Sequence, residues 1–236
     1  MNQEFIEQQS KMGGVMVGRV SNNQDPEKLG RIKLQLPVID EEAETDWCRI
    51  ATMMSGSGRG SYFLPEVGDE VLVAFHLGDI SHPYVIGFLW NKNEKPVDDA
   101  YSEENDIRKI TTRKGHEIIF DDNKDDGKIT LHTKGGQTII LDEKEDNISI
   151  KDSAGKQSIT VDGKGSSVEI KSAGQGNATI KVEKGGVKID AAKNLDISAM
   201  DINLQAKGGL NIKSNSMMKI ETSAMLTLKG SMTKIN

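Results

Sequence analysis

The chain has 236 residues, a formal net charge of −6 at pH 7 and a single cysteine. An acidic chain is a poor match for a nucleic-acid binder held by phosphate contacts, and one cysteine excludes an intramolecular disulfide. No apolar run reaches the roughly 18 residues that a transmembrane helix needs, and the polar N-terminus lacks the apolar segment of a signal peptide. We therefore expect synthesis and assembly in the cytoplasm.

Aromatic residues are unevenly distributed along the chain. Both Trp, all three Tyr and every Phe except Phe120 lie before residue 102. The first hundred residues can thus build an ordinary hydrophobic core, whereas the rest lacks bulky side chains to do so. This difference predicts two regions with different architectures.

The first region reads as short strands after a lead peptide at residues 1–12. Alternating apolar and polar residues predict strands at 15–20, 30–36, 47–51, 70–75 and 83–90. An acidic segment at 40–46 and a Gly/Ser-rich segment at 55–61 are predicted to be loops. This pattern favours a small closed barrel of the OB type at 13–92.

After a linker and neck at 93–117, apolar residues recur in pairs, with one residue between the two members, through 118–236. The pairs are Ile118/Phe120, Ile129/Leu131, Ile139/Leu141, Ile148/Ile150, Ile159/Val161, Val168/Ile170, Ile180/Val182, Val187/Ile189, Leu195/Ile197, Ile202/Leu204, Leu210/Ile212, Met218/Ile220 and Leu226/Leu228. Successive pairs begin 9–12 residues apart up to Ile180 and 7 or 8 residues apart after it. A repeat this short is typical of a solenoid or fibre.

Each pair places two apolar side chains on one face of an extended segment. Two apolar residues per short repeat from one chain cannot enclose a core, so several chains must share the axis, most simply three. The sequence therefore predicts a shaft at 118–236 in a homotrimer. Its predicted core is Ile180, Val182, Val187, Ile189, Leu195, Ile197, Ile202, Leu204, Leu210, Ile212, Met218, Ile220, Leu226 and Leu228.

One set of motifs in the first region resembles the OB domain of contractile-tail central spikes, the family of phage baseplate assembly protein V and the VgrG spikes of type VI secretion. The run 60–75 carries most of the resemblance, and segments 20–34 and 47–50 match the same pattern in order. The motif residues are Gly60, Leu64, Pro65, Gly68, Asp69, Val71, Gly78, Asp79, Pro83 and Gly87.

The resemblance implies an all-β protein, with an N-terminal OB barrel followed by an intertwined trimeric triple-stranded β-helix. It implies a structural, membrane-piercing spike of a phage tail, tailocin or extracellular injection particle, with transient contact to the target envelope. The OB end would seat on a baseplate hub protein. A PAAR-type tip protein would bind the other end through Thr233, Lys234, Ile235 and Asn236.

The sequence also departs from parts of that family. Members of the VgrG type carry a large N-terminal hub region, and only residues 1–12 precede the OB segment here. We therefore expect the hub to be a separate polypeptide. Some spikes insert a lysozyme domain between barrel and shaft, and the neck is too short for one, so no lytic activity is expected.

No motif indicates a catalytic, cofactor or metal site. His76, His82, His116 and His132 are scattered, and no histidine follows them, so a histidine-bound iron at the distal end is not expected. The segment 121–127 has an EF-hand-like start without the Glu at the twelfth loop position, so a charged turn is favoured. Cys48 has no catalytic partners in its vicinity, and segment 56–60 lacks the Lys of a phosphate-binding loop.

One alternative function stays open from the sequence. An OB-fold module on a fibrous stalk could bind carbohydrate or nucleic acid, and it would need a basic or aromatic groove on the barrel. The acidic segment 40–46 disfavours this reading. A solenoid polysaccharide lyase or hydrolase is also disfavoured, because repeats of 7 or 8 residues leave no room for clustered carboxylates.

Overall fold

The computed structural model describes residues 13–174 and 176–234, and within them it contains only strands, turns and loops. Within these ranges no helix has the length and apolar character needed to cross a bilayer. The chain divides into two compact units, Met1–Asp190 and Ala191–Asn236. The lead peptide predicted at 1–12 and two of the predicted tip residues, Ile235 and Asn236, lie outside the described residues.

The first region forms a six-stranded sheet and a small hairpin. The strands are β1 (Val15–Asn22), β2 (Lys33–Leu36), β3 (Asp40–Glu44), β4 (Arg49–Ile50), β5 (Ser55–Gly56), β6 (Arg59–Gly60), β7 (Glu70–His76) and β8 (Asp79–Phe88). The order in the sheet is β3-β2-β1-β7-β8-β4, and β5 pairs with β6 alone. All neighbours are antiparallel except β4 and β8, which run parallel. Each of the five predicted strands overlaps a strand of this sheet.

The core of this region lies between the inward faces of these strands. Alternate residues of β1, β2 and β7 are buried because successive side chains of a strand point to opposite faces. The most completely buried side chains are Val20, Ile32, Leu34, Cys48, Val71, Val73 and Val85. Full burial of one such aliphatic side chain contributes about 1.5–3 kcal/mol. This region therefore has its own hydrophobic core.

Two predictions for this region need correction. The sheet is not closed into a barrel by a strand ladder. Among the described residues its end strands β3 and β4 do not pair, and an isolated bridge between Ile32 and Cys48 links the start of β2 to the start of β4. The acidic segment 40–46 is not a loop, since most of it forms the edge strand β3. Pairing with β2 overrides its low β-propensity: Lys33 Nζ lies 2.9 Å from Glu44 Oε2, and Leu34 N donates to Thr45 Oγ1 at 3.0 Å.

The Gly/Ser-rich segment also gains local order that was not expected. Residues 55–60 form the β5–β6 hairpin, in which Ser55 pairs with Gly60. Gly60 has a φ of 145°, and a Cβ there would lie 2.5 Å from the carbonyl oxygen of Met54. Only glycine fits this position without a shift of the neighbouring backbone.

The repeat region up to residue 191 is a second sheet of nine strands. They are β9 (Ile107–Thr111), β10 (Glu117–Asp121), β11 (Lys128–His132), β12 (Thr138–Asp142), β13 (Asn147–Lys151), β14 (Gln157–Asp162), β15 (Ser167–Ser172), β16 (Ala178–Glu183) and β17 (Gly186–Ala191). Each strand pairs with the next one along the chain. The eight apolar pairs from residue 118 to residue 189 lie one per strand on β10 to β17. The sheet begins with β9, which lies inside the segment predicted as linker and neck.

Ion pairs attach the neck and the first domain to the start of this sheet. Lys109 is only 2% exposed, and its Nζ lies 2.6 Å from Asp99 Oδ1 and 2.9 Å from Glu117 Oε1. The hydrogen bond from Lys109 lowers the pKa of Asp99. Arg113, in the turn after β9, contacts Glu66 of the first domain at 2.9 Å. The neck is thus held by the buried ion pairs of Lys109 and by the exposed ion pair of Arg113.

The second unit has a different character. Its described residues beyond β17, 192–234, contain no strand and are all exposed. The hydrogen bonds found among them join near neighbours, such as Ser214 Oγ to the carbonyl of Met217 at 3.0 Å. Backbone N–H and C=O groups need partners in a folded protein. Among residues 13–174 and 176–234, no strand pairing supplies such partners to this segment.

Candidate assembly surface

The apolar pairs of the nine-stranded sheet lie on one face and form two continuous rows. Directly opposite residues of antiparallel neighbours share a face, so the strand registers define the rows. One row is Ile110, Ile118, Leu131, Ile139, Ile150, Ile159, Ile170 and Ile180; the other is Arg108, Phe120, Ile129, Leu141, Ile148, Val161, Val168 and Val182. We call these the apolar rows. Arg108 is the charged member, at the end nearest the neck.

The apolar rows are uncovered in the single chain. Their apolar side chains are each between 37% and 48% exposed, whereas the core side chains of the first domain are at most 8% exposed. A contiguous apolar face of this length marks an interaction surface in a stable protein. The described residues leave these rows exposed, so they are a candidate surface for a covering layer.

The opposite face of the same sheet is polar and better covered. Ser149, in the middle strand, is only 6% exposed, and the side chains of Glu117 and Asp142 are 18% and 17% exposed. Neighbouring charges satisfy one another on this face: Lys128 Nζ lies 3.5 Å from Asp142 Oδ2. This face also carries Ile119 and Ile140, but most of its side chains are polar and only partly exposed, so the apolar rows are the more exposed apolar surface of the sheet.

The residues of the predicted shaft core lie partly in strands and partly in a segment without strands. Ile180, Val182, Val187 and Ile189 lie on β16 and β17 and are exposed. The other ten predicted core residues lie in 192–234, outside any strand, and are between 49% and 68% exposed. Of the predicted tip contacts, Thr233 and Lys234 fall within the described residues and are exposed. The core and tip assignments stay predictions.

The OB motif residues build the entry to β7. Gly68 has a φ of 106°, and its N–H donates to the carbonyl of Val20 at 2.9 Å. The carboxylate of Asp69 accepts the Glu66 N–H at 2.8 Å, and its carbonyl accepts the Val20 N–H at 3.0 Å. Leu64 and Pro65 pack beside the core, and Val71 is fully buried. These residues shape the turn that joins β7 to β1.

The remaining motif residues lie at the β7–β8 turn, along β8 and at the β5–β6 hairpin. Gly78 takes a positive φ of 82° in the turn, and Asp79 begins β8. Pro83 is buried opposite Phe75, and Gly87 pairs with Leu72. Gly60 closes the β5–β6 hairpin described above. The motif thus marks turns and strand pairings.

A buried ion pair also helps to fix this domain. The Asp25 side chain is 3% exposed, and its two carboxylate oxygens accept hydrogen bonds from Arg31 Nε at 2.9 Å and Nη2 at 2.8 Å. The Arg31 hydrogen bond holds the pKa of Asp25 far below its ordinary range. Both residues lie within segment 20–34 of the spike-like pattern, but that pattern does not predict their contact.

Histidines and acidic side chains form no metal centre in the described parts of the chain: no group of three or more His, Cys, Asp or Glu side chains comes together there. Asp79, Ser81 and His82 do form a hydrogen-bonded turn. Ser81 Oγ donates to Asp79 Oδ1 at 2.6 Å, and these contacts lower the pKa of Asp79 to about 2. His82 Nδ1 lies 2.9 Å from Ser81 Oγ and 2.9 Å from Asp79 Oδ2, so the three side chains form one hydrogen-bonded cluster at this exposed turn.

The single thiol is buried. Cys48 is 1% exposed, with its Sγ 3.2 Å from Thr45 Oγ1, and burial raises its pKa. A thiol with a raised pKa is a poor nucleophile at neutral pH. Cys48 serves as a small core residue at the bridge to Ile32.

A groove on the first domain runs between the β5–β6 hairpin and the end of β8. Its volume is about 930 Å³. Its lining includes Met53, Met54, Arg59, Tyr62, Phe63 and Trp90. Met53, Tyr62, Phe63 and Trp90 are each more than half exposed. The glycine-rich segment 56–60 therefore forms one wall of an aromatic groove.

The first domain matches a known family. Residues 16–90 fit the family model of the type VI secretion system and phage-baseplate injector OB domain. The first domain is an injector OB domain. The resemblance predicted from the sequence is thereby confirmed, and the six-stranded sheet with its bridge corresponds to this domain.

Three curated spike proteins of type VI secretion show the same likeness at low identity. The chain is 28% identical to VgrG3 of Vibrio cholerae over 136 residues, which is 52% of this chain and 13% of that protein. It is 28% identical to VgrG5 of Pseudomonas aeruginosa over 130 residues, 51% of this chain and 16% of that protein. VgrG4b of the same organism is 30% identical over 118 residues, 40% of this chain and 14% of that protein. The matched region is about one seventh of the relatives' length.

Proposed function

We propose that this chain is the structural central spike of a contractile injection machine, a trimer that pierces the target envelope. The observation that carries the proposal is the pair of apolar rows, which run unbroken through β9 to β16 and lie uncovered. A spike must transmit axial force without bending, and a hydrogen-bonded sheet buried against copies of itself does so. The family of the first domain supports the same role.

Three copies suit the geometry of the apolar rows. Each row pair is one face of a narrow sheet, and sheets pack about 10 Å apart face to face. Three such faces turned toward one axis enclose a continuous core of Ile, Leu and Val. This arrangement buries the exposed apolar side chains of both rows, Arg108 excepted, without any change in the strand registers.

The segment 192–234 continues the proposed shaft as an intertwined triple-stranded β-helix. Its pairs keep a spacing of 7 or 8 residues, and its backbone lacks partners in one chain. Strands of other copies would supply both the hydrogen bonds and the second half of the core. This explains why the most regular part of the repeat forms no strand alone.

The partners follow from the same proposal. The OB domain seats on a baseplate hub, and a PAAR-type tip protein covers the strand edges at 233–236. The role is mechanical, and no chemical step is required of any residue. Assembly begins in the cytoplasm, and the spike then belongs to a phage tail or an extracellular or secreted injection particle.

Sedimentation equilibrium of the full chain tests the trimer. The proposal requires a species of about three times the 25.8 kDa chain mass, and a monomer at micromolar concentration would refute it. A second test addresses the tip. A chain ending at Lys229 should lose binding of its tip protein while remaining trimeric, and unchanged binding would refute the tip assignment.

A second candidate function is favoured by one observation, the aromatic groove. Tyr62 and Trp90 are the exposed rings that an OB domain would use to stack on a sugar or base. Titration with oligosaccharides and single-stranded oligonucleotides discriminates the two readings. Binding that is lost in Tyr62→Ala and Trp90→Ala supports a ligand-binding module, whereas the spike function expects no binding.

A further inference from the structure

The turns of the nine-stranded sheet lie alternately at the two ends of its strands, and so form two opposite edges that run along the direction in which the strands stack. These two turn-bearing edges carry opposite charge. One edge holds the turns at 122–127, 143–146, 163–166 and 184–185. The other holds those at 112–116, 133–137 and 152–156. We call these the acidic ridge and the basic ridge. Apart from Arg113, which contacts Glu66 of the first domain, their charges are not used by that domain or by the apolar rows.

The charge of the acidic ridge is concentrated in its first two turns and the strand ends that flank them. Eight acidic side chains accompany three lysines there. The acids are Asp121, Asp122, Asp125, Asp126, Asp142, Glu143, Glu145 and Asp146; the lysines are Lys124, Lys128 and Lys144. The exposed Asp125, Glu143 and Asp146 form no ion pair with any residue that the structure describes. This edge therefore presents uncompensated negative charge.

The basic ridge has the opposite character. Lys114, Lys134, Lys151 and Lys156 are exposed on or beside its turns, and among residues 13–174 and 176–234 none of them has an ion-pair partner. The acids nearest to them, Glu117 and Asp152, are partly covered, and Glu117 already binds Lys109. Four lysines thus face outward from this edge without a counter-charge in their own chain.

Each ridge is held rigid by contacts between successive turns. On the acidic ridge, Glu143 N donates to Gly127 O at 3.0 Å and Gly163 N donates to Asp146 O at 2.8 Å. On the basic ridge, Lys134 N donates to His116 Nδ1 at 3.3 Å. The charges therefore form fixed arrays, and fixed arrays select the partner surface that complements them.

Symmetry decides which edges of neighbouring copies meet. When like-oriented copies turn their apolar rows toward one axis, every seam joins the acidic ridge of one copy to the basic ridge of the next. When two copies pack in opposite orientations, ridges of the same sign meet. We propose that the two ridges dock against each other between copies, so that charge selects the like-oriented ring and excludes reversed pairing of the apolar rows. This inference rests on the proposed assembly and adds its orientation rule.

Charge reversal of one ridge tests the rule in the full chain. Lys114→Glu with Lys134→Glu and Lys156→Glu leaves one lysine and three glutamates on the basic ridge. Asp125→Lys with Glu143→Lys and Asp146→Lys leaves five acids and six lysines on the acidic ridge. The first variant therefore has two acidic ridges and the second has two basic ones. After refolding from denaturant at low salt, each variant should need a protein concentration about tenfold higher to assemble, because like charges then line each seam. Lys28→Glu with Lys92→Glu and Lys95→Glu is the matched control for the first variant, with the same charge change outside the ridges, and should assemble as the wild type.

The variant that carries all six ridge substitutions decides the question. It restores unlike charges at every seam and should assemble within about threefold of the wild-type concentration. Roughly 1 M NaCl should weaken the wild type and rescue both three-residue variants, since screening acts over about 3 Å there. Unimpaired three-residue variants, or a six-residue variant as impaired as its parents, would overturn the rule. A monomeric wild type would instead overturn the proposed function.

Discussion

The OB domain and the nine-stranded sheet share one alternation of apolar and polar residues and reach opposite burial. In the OB domain the sheet curves until β4 lies beside β8 and Cys48 meets Ile32, so Leu34 and Val71 become fully buried. In the repeat region every described strand pairs only with its sequence neighbours, and the side chains of the apolar rows stay exposed. The same local pattern therefore yields a self-sufficient domain in one region and an exposed apolar face in the other, which the proposed function assigns to assembly.

The comparison predicts its largest effect for a charge placed in an apolar row. Ile150→Lys should abolish trimer formation, because an unpaired ammonium buried in the shared core costs more than about 3 kcal/mol per chain. Sedimentation and crosslinking measure the loss. Ser153→Lys, at an exposed turn beside the same strand, is the control and should leave the trimer intact. A trimeric Ile150→Lys protein would mean that the rows are not the shared core.

A cavity in the OB core should lower the stability of the OB domain of each chain, independently of any assembly. Leu34→Ala should lower the free energy of unfolding of this domain by about 2–5 kcal/mol, because removing the Leu34 side chain beyond its Cβ leaves a void among Val20, Val71 and Val73. Tryptophan fluorescence in urea measures it, and the loss should not depend on protein concentration. Leu29→Ala, at a side chain that is 64% exposed, should change stability by less than about 0.5 kcal/mol.

A smaller effect is expected where the OB domain depends on a special backbone geometry. Gly60→Ala should cost about 1–3 kcal/mol, because the new Cβ meets the Met54 carbonyl and the backbone takes a left-handed conformation. Urea unfolding measures the change. Gly13→Ala, where a Cβ meets nothing within 4 Å, is the control and should be nearly neutral. Equal effects at both positions would contradict the geometric account.

The ion pair of the OB domain predicts a pH dependence of the stability of that domain. Arg31 depresses the folded-state pKa of Asp25 below its ordinary value of 3.8. Its stabilisation is therefore complete above about pH 4 and is lost as the pH falls through the lower folded-state value. Asp25→Asn should lower the urea midpoint at pH 7 and flatten the acid-side decline. An unchanged slope below pH 4 would assign acid sensitivity to other carboxylates.

Local patterns sufficed to predict most strands. The pairs from Ile118 to Ile189 each mark one strand, because a half-buried strand leaves a period of two in the sequence. The motif from Gly60 to Gly87 identified the OB domain through turn glycines and strand pairings. Non-local contacts were not predictable in this way. The acidic β3 shows no apolar period, and it becomes a strand only because β2 offers a free edge.

The failure of the pattern at the distal end has a different cause. The pairs from Leu195 to Leu228 are as regular as those before them, yet they form no strand in the single chain. A period of two specifies which face is buried but not which chain covers it. The aromatic groove was missed for a related reason, since Tyr62, Phe63 and Trp90 come together only after the β5–β6 hairpin and β8 are in place.

Neighbour-only pairing in the nine-stranded sheet also has a kinetic consequence. Each hairpin closes a turn of a few residues, so contact order is low and loop-closure entropy is small at every step. The sheet can therefore form progressively as the chain leaves the ribosome, one strand after another from β9 to β17. Three preformed sheets that meet through their apolar rows would bring three copies of 192–234 to the same level. The early sheet would then act as the template that sets the register of the strands that no single chain can pair.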